Sequence, residues 1–550
     1  MAAILEAWRA GLLRRDNWIP NITAGIVVGV VSIPLSMAFA IASGATPVQG
    51  LYTSIAAGAL ASLFGGTRVQ ITGPTGAFAV LLFSVTAKYG MAGLQVATIL
   101  AGIIMAIFGL TKLGRVIRFI PEPVVIGFTS GVAVLIWVSQ WQNFFGLGEV
   151  TGDSFGQKLL SLLAALPGLH PATTLFGVAS IAVILIWPKI PGLGKVPSPI
   201  VALVIATVAQ SVLRIDGVAT IGTAYNGLPK GLPAFSLPIL PLSSVLELLR
   251  PAFTIALLGS IVSLLSATVV DGVTGHRHDS DQELVGQGIA NIGAALFGGF
   301  AAAGAVARSA TSVRNGANSP LAGIVTSFTL LIVVVVLAPL AFNVPLATLA
   351  AVIFVVAYNM SEVKRVARTV KRAPRADVAI LLITLVLTVF TDLIVAVNVG
   401  VILAMLNFMR RMSSSVETRA LDADEVAGQL PQSNSQPIPE GVLVYTIEGP
   451  FFFGAVQQFE AALEHTHTEP TALVISLERV PFIDLTGILA LKDVIEASRK
   501  RGVDVRLCCA NELVTGKLER AGVADLVAVP ASAPMAEALG LACPVSVHSG

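Results

Sequence analysis

Apolar positions run in long blocks from residue 22 to residue 409, then give way to a shorter, alternating pattern after residue 440. A bilayer core calls for roughly 20 apolar residues per helix. Fourteen blocks reach or approach that length. Eight are clear, near 22–43, 91–111, 124–145, 172–187, 198–213, 252–270, 321–342 and 376–393. Six are shorter or interrupted, near 48–65, 74–88, 284–299, 304–316, 346–360 and 395–409. Residues 412–440 are polar and rich in Ser, Gln and Pro, the composition of a linker. Beyond them the runs at 442–449, 472–478 and 503–510 predict strands, and those at 457–466, 487–502 and 512–522 predict helices. Such alternation points to a small sheet covered by helices, an independent soluble α/β domain over 441–550.

The membrane part repeats itself. Residues 58–66 read GALASLFGG and residues 291–299 read NIGAALFGG. Each copy closes a hydrophobic block, and each is followed by a short, glycine-interrupted one. Paired broken segments at matching positions of two halves are the sequence mark of a transporter binding site. A half-helix that starts at mid-bilayer leaves its first N–H groups unpaired and its positive dipole end bare. Two such ends facing each other make an anion cage. In the first copy the stretch 68–72 reads as extended, and Pro74 suits the first helical turn. The second copy carries Arg308 among small residues, and an Arg at membrane depth is a functional candidate by default. An odd number of segments per half makes the two halves antiparallel.

Composition agrees with this division. The 550 residues are 55% hydrophobic and 12% charged, where soluble domains carry about a quarter charged residues. The formal charge of +2 splits into +10 over residues 1–410 and −8 over 411–550, a basic apolar body and an acidic tail. Basic clusters at Lys112/Arg115/Arg118, Lys189/Lys195, Arg277 and 364–375 follow even-numbered segments, which predicts cytoplasmic termini. No signal peptide is expected from the N-terminal sequence. Cys508, Cys509 and Cys543 all lie in the tail and read as reduced thiols. No Walker-type phosphate loop occurs, and no nucleophile–base constellation stands out. Neither an enzyme nor a nucleic-acid binder is expected, and no cofactor or metal.

Four stretches together, 33–54, 65–77, 263–292 and 480–491, resemble the SulP anion transporters, the group of sulfate permeases and prestin, with a C-terminal STAS domain. The resemblance covers nearly the whole chain in order. It implies an α-helical polytopic membrane protein of 14 segments in 7+7 inverted repeats. Segments 1–4 and 8–11 would form a core domain, and 5–7 and 12–14 a gate domain. The anion site would draw on Ser36 and Phe39 of segment 1 and on Thr75 and Gly76 of half-helix 3. Segment 8 would add Ser266, and half-helix 10 would add Gly304, Ala305, Val306, Ala307 and Arg308. Ala307 stands where relatives often have Ser. Val262 stands where several bacterial relatives carry an acid, which argues against a sodium site built as in those relatives. Asp271, Glu283, His276 and His278 remain as titratable groups, and all read as loop residues. In the tail, Thr486 occupies the place of a phosphorylatable Ser at a helix start, where a capping role is expected.

The function expected is secondary active transport of a small anion by alternating access. A carboxylate or dicarboxylate such as fumarate is favoured over sulfate or bicarbonate, with protons as the coupling ion. A nucleobase carrier of the same fold, and an anion channel or exchanger, are the alternatives. A homodimer in a bacterial inner membrane is implied by the resemblance.

Overall fold

The computed structural model describes residues 2–114, 121–148, 150, 155–191, 196–225, 234–238, 241–337, 340–391, 393–414, 416–430, 439, 441–464 and 470–540. Arg115, Arg118, Lys195 and Cys543 fall outside them. The chain divides into two compact units, residues 1–401 and 402–550.

The first unit is helical. Its principal elements are α1 (Trp18–Ala42), α2 (Pro47–Phe64), β1 (Thr72–Gly73), α3 (Gly76–Leu110), α4 (Glu122–Ser139), α5 (Pro171–Ile186) and α6 (Ser198–Leu213). The second half gives α7 (Leu249–Thr274), α8 (Ser280–Leu296), β2 (Ala303–Gly304), α9 (Val306–Arg314), α10 (Leu321–Leu337), α11 (Leu346–Met360), α12 (Arg375–Phe390) and α13 (Leu393–Ser414), the last of which runs on past the division at residue 401. These helices fall on the fourteen predicted segments. Segments 3 and 4 form one element, α3, broken at Gly90, whose φ of 67° and ψ of −175° are not helical. At nine residues, α9 rises only about 14 Å, too short to cross a bilayer.

Packing divides the helices as the inverted-repeat reading requires. α8 packs on α2 and α3, α10 on α1 and α2, and α7 on α3. Separately, α4 packs on α11 and α12, and α5 on α6 and α11. The first group is the core and the second the gate. Outer faces remain apolar, with Leu110 74% and Val212 76% exposed. In water such faces would be a liability; in lipid tails they are at home.

The second unit carries a four-stranded sheet in the order β3 (Glu417–Leu421), β4 (Val442–Glu448), β5 (Ala472–Ser476), β6 (Asp504–Cys508). β4, β5 and β6 are mutually parallel, and β3 is antiparallel to β4. Helices α14 (Phe453–Glu464), α15 (Leu485–Lys500) and α16 (Glu512–Arg520) follow the last three strands. β3 corrects the linker reading: residues 417–421 are an edge strand. Alternation in ETRAL is weak because only Leu421 is buried. The half-exposed strand is held by its ladder to β4 and not by a buried face of its own.

Candidate functional site

β1 and β2 are the only two strands described in the first unit, and they pair antiparallel, Thr72 with Gly304 and Gly73 with Ala303. Each leads within two or three residues into a helix, α3 at Gly76 and α9 at Val306. The two broken segments are thus brought side by side by a minimal ladder deep in the fold.

The details correct the expectation for Pro74. Pro74 does not open α3; it precedes the N-cap, Thr75, whose Oγ1 accepts from the Ala77 N–H at 3.0 Å. The repeat offset of 233 at LFGG also shrinks to 230 at the helix starts, where Thr75 matches Ala305. The second loop is shorter, so the two copies fall out of step before the helices begin. Ala305 has no side chain to cap α9, so the first-turn N–H groups of α9 lack the side-chain acceptor that α3 has.

Arg308 projects from the first turn of α9. Its side chain is buried, 3% exposed, and Nη2 donates to the carbonyl oxygen of Pro74. Nη1 is buried without a hydrogen-bond partner. A Cβ added at Gly73 would lie 2.7 Å from that Nη1 and 2.9 Å from Ser54 Oγ. Only glycine lets the guanidinium reach the strand. Ser54 Oγ in turn lies 2.6 Å from Ser36 Oγ, both buried. Among the described residues, Arg308 and Glu283 are the only charged side chains in the buried interior.

A second cluster surrounds the start of α3. A Cβ on Gly76 would meet Met360 Sδ at 2.8 Å, Phe39 Cε1 at 3.0 Å and Ile136 Cδ1 at 3.1 Å. Phe39 belongs to the core helix α1, whereas Ile136 and Met360 come from the gate helices α4 and α11. Core and gate therefore close on each other over this half-helix.

Of the expected residues, the structure brings together Ser36, Phe39, Gly76, Gly304 and Arg308, with Thr75 as cap. Val306 and Ala307 are exposed at the mouth of α9, and Ala305 is half-buried. Ser266 is buried with an unpartnered Oγ. The hydroxyl of α7 that meets β2 is Ser263, which accepts from the Gly304 N–H at 3.1 Å. Ser263, Ser54, Gly73, Ile136 and Met360 were missed. The i, i+3 spacing of Ser263 and Ser266 was a usable sign; the others carry none in an apolar block.

Three of the four titratable groups are not solvated loop residues. Glu283 is 2% exposed, inside α8. His278 Nδ1 sits 2.6 Å from Asp271 Oδ2, and its side chain is 1% exposed. Only His276 matches the expectation of an exposed loop side chain. In the second unit, the cap of α15 is Asp484, whose Oδ1 accepts from the Gly487 N–H at 2.8 Å. Thr486 is exposed at the second helical position, two residues past the cap.

Residues 19–384 match the profile of the sulfate permease family, and residues 435–539 that of the STAS domain. The chain belongs to the sulfate permease family. It is 42% identical over 482 residues to YvdB of Bacillus subtilis, whose name assigns it provisionally to sulfate transport; the alignment spans 87% of this chain and 89% of that one. It is 32% identical over 522 residues to the bicarbonate transporter BicA of Picosynechococcus, over 91% of this chain and 90% of the relative. The fold is that of murine Slc26a9 in its inward-facing state, at a TM-score of 0.84 and 19% identity, over 96% of this chain and 92% of that one. The BicA transmembrane domain superposes with a TM-score of 0.60 at 29% identity, over 71% of this chain and 98% of that one. This family member is an integral membrane anion transporter with a STAS domain, and not an enzyme.

Proposed function

We propose that the chain carries a compact oxyanion, sulfate first and bicarbonate second, in symport with protons. The observation that carries this reading is the Arg308 guanidinium, buried with a free Nη1 between the starts of α3 and α9. One Arg plus two helix N-termini, each worth about half a charge, suits a small doubly charged anion. The fumarate favoured from sequence fits less well. Its two carboxylates would ask for a second buried cation, and among the described residues Arg308 is the one Lys or Arg so placed. The 42% identity to a relative named for sulfate supports the same choice.

Electrostatics supports a coupling cation. Moving a divalent anion into a negative interior costs about 4.6 kcal/mol at 100 mV, a cost that a co-transported cation offsets. Sodium wants oxygen ligands, and position 262 is a valine packed against the apolar core. Protons remain. Termini on the cytoplasmic side, a bacterial inner-membrane location and a homodimeric assembly belong to the same proposal. The test is uptake of labelled sulfate, bicarbonate and fumarate into proteoliposomes, under a pH gradient or a sodium gradient. Saturable sulfate uptake driven by an inward proton gradient and indifferent to sodium is expected. Fumarate uptake exceeding both inorganic anions, or saturable sodium stimulation, would overturn the reading.

A further inference from the structure

Glu283, Gln287 and Asn291 stand four residues apart on α8, so they line one face of that helix. All three are at most 2% exposed. A charged or amide side chain so deep needs hydrogen-bond partners to persist. Glu283 and Asn291 engage through both polar atoms and Gln287 through Nε2, its Oε1 being buried without a partner, and all three engage the same neighbouring structure. Glu283 Oε2 accepts from the Gly66 N–H at 2.9 Å, and Oε1 accepts from Gln70 Nε2 at 2.7 Å and Gln287 Nε2 at 2.8 Å. Gln287 Nε2 also donates to Thr72 Oγ1 at 2.7 Å. Asn291 Oδ1 accepts from the Ala302 N–H at 2.8 Å, while its Nδ2 donates to the Ala302 carbonyl at 3.0 Å.

Thr72 is in β1, and Ala302 immediately precedes β2. The stripe therefore grips the chain entering both half-helices from a single rigid element. Glu283 is its anionic end. Its hydrogen-bond partners just named are all N–H donors, an environment that suits a carboxylate.

We propose that Glu283, Gln287 and Asn291 act as a positioning ladder. Building on the anion-site reading above, the ladder fixes where the paired β1 and β2 sit against α8 and thereby the aim of the two helix N-termini and Arg308 at the substrate. Glu283 then belongs to the geometry of the binding site and not to proton transfer. Its role reaches the anion only through Gln70, Gln287 and Thr72.

The test uses the full-length chain in proteoliposomes and detergent. Glu283→Gln keeps the shape but turns one acceptor oxygen into a donor that faces other donors. Thr72→Val breaks the last link of the ladder with a side chain of the same shape. Both variants are compared for hydrogen–deuterium exchange of peptides covering residues 67–77 and 300–308, for sulfate KM and maximal rate, and for thermal unfolding. Exchange is expected to quicken in those two peptides and not in α10, and sulfate KM to rise about tenfold, the equivalent of about 1.4 kcal/mol, with maximal rate changing less. The exchange readout does not depend on which anion is carried, so failure of the sulfate assignment leaves it standing. The swap Gln70→Glu with Glu283→Gln restores an oxygen facing an amide and is expected to recover both readouts. Should Glu283→Gln fail to fold, Thr72→Val alone decides. Unchanged exchange at both peptides in Thr72→Val, a lost maximal rate at unchanged KM, or a swap that rescues nothing would each overturn the proposal.

Discussion

Arg308, the buried cation of the second half-helix, donates its Nη2 proton to the carbonyl oxygen of Pro74, which immediately precedes the cap of the first. One side chain thus ties the two broken segments together and leaves Nη1 turned toward an unfilled interaction. The bond that holds the site and the charge that attracts the anion come from the same residue. Structure and function are therefore expected to respond differently to different replacements.

Arg308→Ala removes both roles. Labelled sulfate uptake is expected to fall at least about tenfold, since a hydrogen bond to a charged group contributes roughly 1.5–3 kcal/mol. Arg308→Lys keeps the charge and loses the planar fork, so it is expected to retain more affinity than Ala yet less than the parent. Undiminished uptake by Arg308→Ala, in protein that elutes as the parent does, would remove Arg308 from the site.

Gly76→Val places branched carbons where Met360, Phe39 and Ile136 leave no room. Transport is expected to be abolished while the protein still inserts, because α3 begins where core and gate meet. Combining Gly76→Val with Met360→Ala opens space and is expected to restore part of the rate. Full activity of Gly76→Val alone, measured by sulfate counterflow, would contradict the close packing.

The two adjacent tail thiols should separate by reactivity. The hydrogen bond from Cys508 lowers the Cys509 thiol below its ordinary pKa, and Cys509 is partly exposed. The same bond raises Cys508, which is buried. The lowered group carries more thiolate at neutral pH, and the thiolate is the nucleophile. Iodoacetamide at pH 7 is expected to label Cys509 well before Cys508, with the difference narrowing as pH rises. Peptide mass spectrometry reads the order; equal rates at pH 7 would show the environments to be alike.

Truncation after Ser414, where α13 ends, tests whether the second unit is separable from transport. The shortened chain is expected to insert and to keep substantial sulfate uptake. A body that folds but has no residual transport would give the STAS domain a direct part in the cycle.

Some of this protein is written along the chain. The solvent each part occupies is decided by apolar block length and charge, and those are local quantities: the fourteen blocks, the acidic tail and its strand–helix alternation needed no tertiary contact to be read. The LFGG repeat likewise marked where the broken helices lie, and a lone Arg among small residues marked the cation. What the chain order could not express is which distant segments meet. Gly73 looks like any other membrane glycine until Arg308 packs against it, 235 positions away. Ser54, Ile136 and Met360 sit in apolar runs with no periodic mark, and they become site residues only because α2, α4 and α11 converge on the two half-helices. Glu283 shows the difference most clearly: charge beside a basic, histidine-containing stretch reads as a solvated loop, yet three N–H donors from separate places make burial of its carboxylate tolerable. Hydrogen-bond satisfaction is a property of the assembled neighbourhood, so only the tertiary structure could decide it.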